Sequence, residues 1–328
     1  MEEPALDPEY VVGVDLGGTQ IRACLARVNG MILRQSRRPT LASRGPAEVL
    51  ERIRRTVGQV LNGLDTGQVS GIGIAAPGPL DPRSGVLLSP PNLPGWDWVP
   101  LRDIMQDAFG VPVGVNNDAN LAALAEYRLG AGKGTSDLVY LTISTGLGGG
   151  IICGGKLLMG AHGFAGEPGH ATIQPEGEAC PCGNVGCLEN LCSGPAIARH
   201  ARRLLEQNPT SVLSEMVSSG SELTAEMVGN AARSGDDVAL QAISLAAHYL
   251  GIGVLNLIHI FDPEMVVLGG GVTKIGPLLF DPVRAWIRHH AMTEVQGRTP
   301  VVPAALGEEV GLLGAVLYVI EQHGDVRE

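Results

Sequence analysis

The chain has 328 residues, of which 45% are apolar and 4% aromatic, with 46 glycines and a formal net charge of −11. That length allows one or two domains with a buried core. The acidic balance, with no basic run to offset it, argues against nucleic acid or an acidic membrane as a partner, and scarce aromatics argue against a base-stacking platform. Met1-Glu2-Glu3 is acidic and no early apolar stretch follows, so no signal peptide is expected. The apolar stretch Leu245 to Phe261 is broken by His248, Asn256 and His259 and reads as a buried helix, not a membrane span. A soluble cytoplasmic protein is the expectation.

In chain order, YVVGVDLGG predicts a strand. TQIRACLARV predicts a second, and Asn29-Gly30 turns it into a third, MILRQS. A helix is predicted from Pro46 to Leu61, then a buried strand, VSGIGIAA, ending at Pro77-Gly78-Pro79. Another buried strand, VPVGVNN, runs into Asp118, and Leu121 to Tyr127 has helical spacing. The pattern then recurs: DLVYLTISTGLGGGIICGGKLLMG repeats strand, glycine turn, strand, glycine turn, strand, and MVVLGGGV echoes VSGIGIAAPG. Leu191 to Phe261 reads helical, RTPVVPAAL reads as a strand, and the tail from Glu308 to Ile320 has helical spacing that would pack back onto the first half. Two β-β-β-α-β-α halves facing each other would form a cleft with a glycine turn on either wall. The domains are placed at 1–117 plus 308–328 (smaller, α/β) and 118–307 (larger, α/β, with the metal loop described next).

His170, Cys180, Cys182 and Cys187 fall within 18 residues of a glycine- and proline-rich stretch. Four such ligands can close a tetrahedral Cys3His zinc site, which would shape the loop and leave no open position for chemistry. With no export signal, clustered cysteines point to metal more than to disulfides. Cys24, Cys153 and Cys192 have no clear partner and read as buried free thiols. DLGGT (Asp15, Gly17, Gly18, Thr19) and STGLGGG (Thr145, Gly146) each join two strands. Either turn alone is a plain hairpin as easily as a phosphate cradle, but a matched pair in a repeat favours the cradle. Asp15 suits water-mediated Mg²⁺ or a turn-capping role. Gly130 to Ser136 does not complete a P-loop, because Tyr127 and Gly134 stand where glycine and Ser or Thr are required. Asp118, where a strand ends and a helix begins, suits either a general base or a helix N-cap. Asn117, Glu167 and Glu189 supply the donors and acceptors a polyhydroxylated ligand needs. In NLPGWDW, Asn92 adds an amide, and the two tryptophans could stack on a sugar or anchor the loop to the core.

These motifs, with APGPL, NNDAN, EPGH, CPCGNVGCLE and LGEEVGLLGA, resemble those of the ROK sugar kinases over nearly the whole chain, and in particular the zinc-containing bacterial glucokinases. The resemblance implies an α/β, actin-like (ribonuclease-H-like) two-domain sugar kinase with a cleft between domains, phosphorylating glucose from ATP with Mg²⁺. It implies Asp118 as catalytic base and Asn117, Glu167, His170 and Glu189 as sugar contacts, with Gly78 and Asn92 as further ones. It also implies zinc on His170, Cys180, Cys182 and Cys187, phosphate turns at DLGGT and STGLGGG, and nucleotide-side glycines at Gly269, Gly270 and Gly271. Pro168 stands at a position often filled otherwise in relatives. Family repressors carry an N-terminal helix-turn-helix, which does not fit a chain whose first strand begins by Val11, and polyphosphate-using relatives usually lack the cysteine cluster. Relatives are often dimers or tetramers, so a homo-oligomer is expected. The rival readings are a kinase for N-acetylmannosamine, N-acetylglucosamine, fructose or another hexose, a non-catalytic sugar sensor, and a nucleic-acid zinc ribbon.

Overall fold

The computed structural model describes residues 9–208, 210–218, 220 and 222–323; Met1 to Glu3, on which the expectation about a leader rested, lie outside them. The chain forms two compact units, one of residues 1–129, 159–165 and 306–328, the other of residues 130–158 and 166–305.

In the first unit, β1 (Tyr10–Leu16), β2 (Gln20–Arg27) and β3 (Ile32–Pro39) form an antiparallel meander, followed by α1 (Pro46–Leu61) and β4 (Val69–Ala76). Three two-residue strands, β5 (Leu80–Asp81), β6 (Val86–Leu87) and β7 (Val99–Pro100), make a small separate sheet. Then come α2 (Leu101–Phe109), β8 (Val113–Asn117) and α3 (Asp118–Arg128), with α10 (Val310–His323) arriving from the far end of the chain. The main sheet runs β3-β2-β1-β4-β8, with β1, β4 and β8 parallel. One face buries Val12, Val14, Ile72 and Ile74 together with Ile53 and Val57 of α1. On the other face β1 and β4 carry glycines because α10 lies against them: a Cβ on Gly73 would stand 1.8 Å from the Ala315 carbonyl oxygen. Gly314 of α10 likewise meets the Leu121 carbonyl oxygen of α3, at 2.1 Å from an added Cβ.

The second unit repeats this plan. Its strands are β9 (Leu138–Ile143), β10 (Leu147–Cys153), β11 (Lys156–Leu157), β12 (Met265–Gly269) and β13 (Val301–Pro303), in the order β11-β10-β9-β12-β13, with β9, β12 and β13 parallel. Where the first unit has α1 between its third and fourth strands, the second inserts the cysteine loop and α4 (Leu188–Cys192), α5 (Gly194–Leu205), α6 (Val212–Ser218), α7 (Ala225–Arg233) and α8 (Asp237–Phe261); α9 (Pro277–His290) follows β12. This doubled sheet is the actin-like topology implied by the motifs. Helix α8 is long and apolar enough to cross a membrane by length and composition alone, but 61% of its most apolar window is buried, with Ala242, Ala246, Leu250 and Val254 in the core of the unit.

Two expectations need correction. The boundary falls after Leu129, not Asn117, because α3 packs on α10 and so belongs to the first unit; residues 159–165 join it too. Cys24 and Cys192 are buried as expected, but Cys153 is exposed, because it ends β10 beside the Gly154-Gly155 turn.

Candidate active site

In the first unit the site residues gather at the carboxyl ends of the parallel strands. Parallel pairing aligns Asp15 with Ala75, and Ala75 with Asn116, so the DLGGT turn, the Pro77–Pro79 segment and Asn117-Asp118 all leave the carboxyl ends of adjacent strands. Open α/β sheets bind ligands at such ends. Gly17 closes the DLGGT hairpin by donating its N–H to the Gln20 carbonyl at 2.9 Å, and Thr40 Oγ1 donates to the Gly17 carbonyl at 2.6 Å. Thr19 at the tip is exposed. An added Cβ on Gly18 would meet Asn92 Cβ at 3.1 Å, so the turn abuts the Asn92 loop. Asp15 Oδ2 accepts from Arg22 Nε at 3.1 Å and also from Arg22 Nη2.

Asn117 caps α3, its Oδ1 accepting the N–H groups of Ala119 at 2.9 Å and Asn120 at 3.3 Å. Asp118 is the first helical residue, exposed, with Oδ1 accepting from its neighbour Ala119 N–H at 2.7 Å. The cap role that sequence alone left open for Asp118 thus belongs to Asn117. Beneath them, buried Asn116 accepts from Asn117 N–H at 2.7 Å and fixes the strand end. The tryptophans divide: Trp96 is a core anchor at 1% exposure, whereas Trp98 stands 73% exposed. Gly78 lies half-buried between β4 and β5.

In the second unit, the donor atoms of His170, Cys180, Cys182 and Cys187 all lie within 4.8 Å of one another. The Cys182 and Cys187 sulfurs are 3.7 Å apart and Cys180 Sγ is 3.9 Å from His170 Nδ1. A tetrahedron with Zn–S bonds near 2.3 Å separates its sulfurs by about 3.8 Å, so the spacing fits zinc. Burial pushes the Cys187 thiol up to about 12 and raises Cys180, whereas the Asn184 backbone N–H lowers Cys182. Ionising all three together calls for a divalent cation. The loop is braced without metal as well, by Asn184 Nδ2 donating to the His170 carbonyl at 3.0 Å and Ile173 N–H donating to the Gly186 carbonyl at 2.8 Å.

Glu167 and Glu189 flank this cluster. Glu167 precedes a short 3-10 turn, Pro168–His170, and desolvation raises its carboxyl above the ordinary value, reinforced by the Glu189 charge and opposed by His170. Glu189 lies in the first turn of α4 and reaches the turn between β9 and β10, where its Oε2 accepts the Leu147 N–H at 2.8 Å.

That turn opens onto a cavity of about 810 Å³ lined by Ser144 and Thr145, by α5 and α7, and by the 3-10 turn Gly271–Ile275. Of the three predicted glycines, only Gly271 lines the cavity. Gly269 packs against Tyr140, with Oη 2.5 Å from an added Cβ, and Gly270 (φ 86°) lies against the Ile143 backbone, so these two keep the strands close. Arg199, Arg202, Asn230, Arg233 and Lys274 also line the cavity and were not foreseen. They come from three separate elements, and no local motif marks them. The sequence signal they carry is four cations, three on two helices and Lys274 on the 3-10 turn, in an acidic chain, and Glu222 and Glu226 share the lining. Arg233 is ordered by Asn230 Oδ1 at 2.6 Å and the Lys274 carbonyl at 2.7 Å.

The comparisons agree with the motifs. A glucokinase of Thermotoga maritima is 37% identical over 314 residues, covering 96% of this chain and 98% of its own length. The crystal structure of a ROK family glucokinase from Streptomyces griseus in complex with glucose and AMPPNP matches with a TM-score of 0.81 at 36% identity, over 94% of this chain and 98% of that one. A xylose repressor of Caldicellulosiruptor bescii is 39% identical over 254 residues, which is 77% of this chain and 63% of the repressor. The model of the ROK family matches residues 11–322. On its motifs, its doubled sheet and this match, the chain belongs to the ROK family.

Proposed function

We propose that the chain is an ATP-dependent glucokinase that makes glucose 6-phosphate. The observation that carries the reading is that Asp118 leaves the carboxyl end of β8, at the same end of the parallel strands as the DLGGT turn after β1, with the helix cap supplied by Asn117. Full-length similarity to glucokinases, one of them solved with glucose and an ATP analogue, supports it.

In this reading Asp118 accepts the proton of the sugar 6-hydroxyl as that oxygen attacks the γ-phosphoryl group in line. Asn117, Glu167, His170 and Glu189 hold the sugar hydroxyls, with Asn92 and Gly78 as further contacts. His170 serves two purposes: Nδ1 faces Cys180 and the metal position, which leaves Nε2 for the sugar. Zinc on His170, Cys180, Cys182 and Cys187 would fix the loop that carries these groups. Gly17 N–H holds the DLGGT turn closed on the Gln20 carbonyl, the backbone N–H groups of Gly18, Thr19, Thr145 and Gly146 are the phosphate donors, and the cavity lined by Arg199, Arg202, Arg233 and Lys274 takes the nucleoside. Mg²⁺ accompanying ATP would neutralise phosphate charge, held through water by Asp15, whose Oδ2 is already bound to Arg22. A cytoplasmic homo-oligomer completes the reading.

A coupled ADP-release assay over glucose, fructose, mannose, N-acetylglucosamine and N-acetylmannosamine tests it. The highest kcat/KM should fall to glucose. Preference for another hexose would change the substrate, and hexose binding without ADP release would make the chain a sensor, a role suggested by its similarity to a repressor.

A further inference from the structure

The β9–β10 turn makes one internal bond, Ser144 N–H to the Gly146 carbonyl, and receives one backbone bond from the start of α5, Gly194 N–H to the Ser144 carbonyl, both at 2.8 Å. It has one side-chain brace from the cysteine loop. Glu189 Oε2 accepts the Leu147 N–H at 2.8 Å and lies so close to Gly146 that an added Cβ would stand 2.6 Å from it. Leu147 N–H is thereby committed to a carboxylate, and Gly146 is required there because the carboxylate fills the space of a side chain. Glu189 is two residues beyond the metal-ligand position Cys187, so one carboxylate spans from the cysteine loop to the phosphate turn.

We propose that Glu189, besides meeting the sugar, is a positioning residue for the phosphate turn and through it couples hexose binding to nucleotide binding. This rests on the kinase reading above. With Oε2 on Leu147 N–H, Oε1 is the oxygen left for a hexose hydroxyl, so a sugar that fixes the carboxylate also fixes the turn. Such coupling is reciprocal, and nucleotide should tighten sugar binding by the same factor.

Two conservative variants separate reach from charge. Glu189→Asp keeps the charge but withdraws the carboxylate from the turn, whereas Glu189→Gln keeps the reach and still offers a carbonyl oxygen to Leu147 N–H. AMPPNP affinity is measured by calorimetry without hexose. Losing a hydrogen bond to a charged group predicts about ten-fold weaker binding for Glu189→Asp, with Glu189→Gln within about two-fold of wild type. Glu189→Gln should raise the KM for glucose instead. Wild-type nucleotide affinity in both variants, or a larger loss in Glu189→Gln than in Glu189→Asp, overturns the proposal and leaves Glu189 a sugar contact only. A second measurement needs no variant: saturating glucose should slow amide exchange across Ser144 to Leu147 in the wild-type enzyme, and unchanged exchange there overturns the coupling. Failure of the kinase reading is distinct, since it would show as absent ADP release from wild type with every hexose.

Discussion

The same five-strand plan is built twice, and the two copies are held in different ways. In the first unit the glycine turn after β1 is braced from within its own sheet and by the Asn92 loop, and the insertion between the third and fourth strands is a single helix, α1. In the second, the equivalent turn is braced by Glu189 of α4, just after a loop with little regular structure in which the donor atoms of His170, Cys180, Cys182 and Cys187 cluster. A repeated fold thus fixes where its loops emerge and leaves their content open. In the proposed reading, one copy carries the base Asp118 and the other the His/Cys cluster and Glu189.

The largest expected effect tests the division of labour directly. Asp118→Asn should lower kcat by at least about 10²-fold while glucose binding, measured by calorimetry, survives. Near-normal turnover would move the base elsewhere. Next, removing metal with a chelator, or Cys182→Ala, should raise the KM for glucose about ten-fold or more, as loss of metal-site support does, and lower the melting temperature of the second unit. Unchanged sugar affinity in a metal-free protein would reduce the cluster to a local staple.

The tryptophan pair sharpens the first unit's side. Trp96→Ala empties a buried site and should cost about 3–5 kcal/mol of stability in denaturant unfolding. Trp98→Ala should leave stability nearly unchanged, so any rise in glucose KM would mark a sugar contact. The smallest effect concerns His200, buried on α5 with Nε2 on the Leu191 carbonyl at 2.9 Å. Burial lowers its pKa, so below about 6.5 the unfolded chain binds a proton that the folded one resists. Its contribution is therefore present above that pH and lost as pH falls through the depressed folded value. The melting-temperature difference between wild type and His200→Gln should shrink below pH 6.5, and a constant difference would refute the assignment.

Much of this was legible in the chain because the signals are local. Pro46–Leu61 and Val69–Ala76 appear with the predicted bounds, since each has its own periodicity and stop signals. The His170, Cys180, Cys182 and Cys187 cluster was legible because its members are close in sequence. What could not be read depends on distant partners. Helix α3 packs on the first unit through α10, which comes back from the far end of the chain to meet it, and through Ala75 of β4. The cations of the cavity beside the β9–β10 turn meet only when α5, α7 and the turn after β12 are packed together. The cap at Asn117 and the separation of Trp96 from Trp98 were decided by geometry one residue finer than a motif resolves.

The return of α10 also sets an order of events in synthesis. The face of β1 and β4 that carries Gly13, Gly71 and Gly73 is covered by Leu312, Val316 and Val319, among the last described residues to leave the ribosome. Domains generally fold from the N-terminus as the chain emerges. Here the second unit can close around α8 first, while the unit that began the chain waits, one face bare, for the final helix. Released chains truncated before Val310 should therefore show a protease-resistant second unit and a cleavable first one.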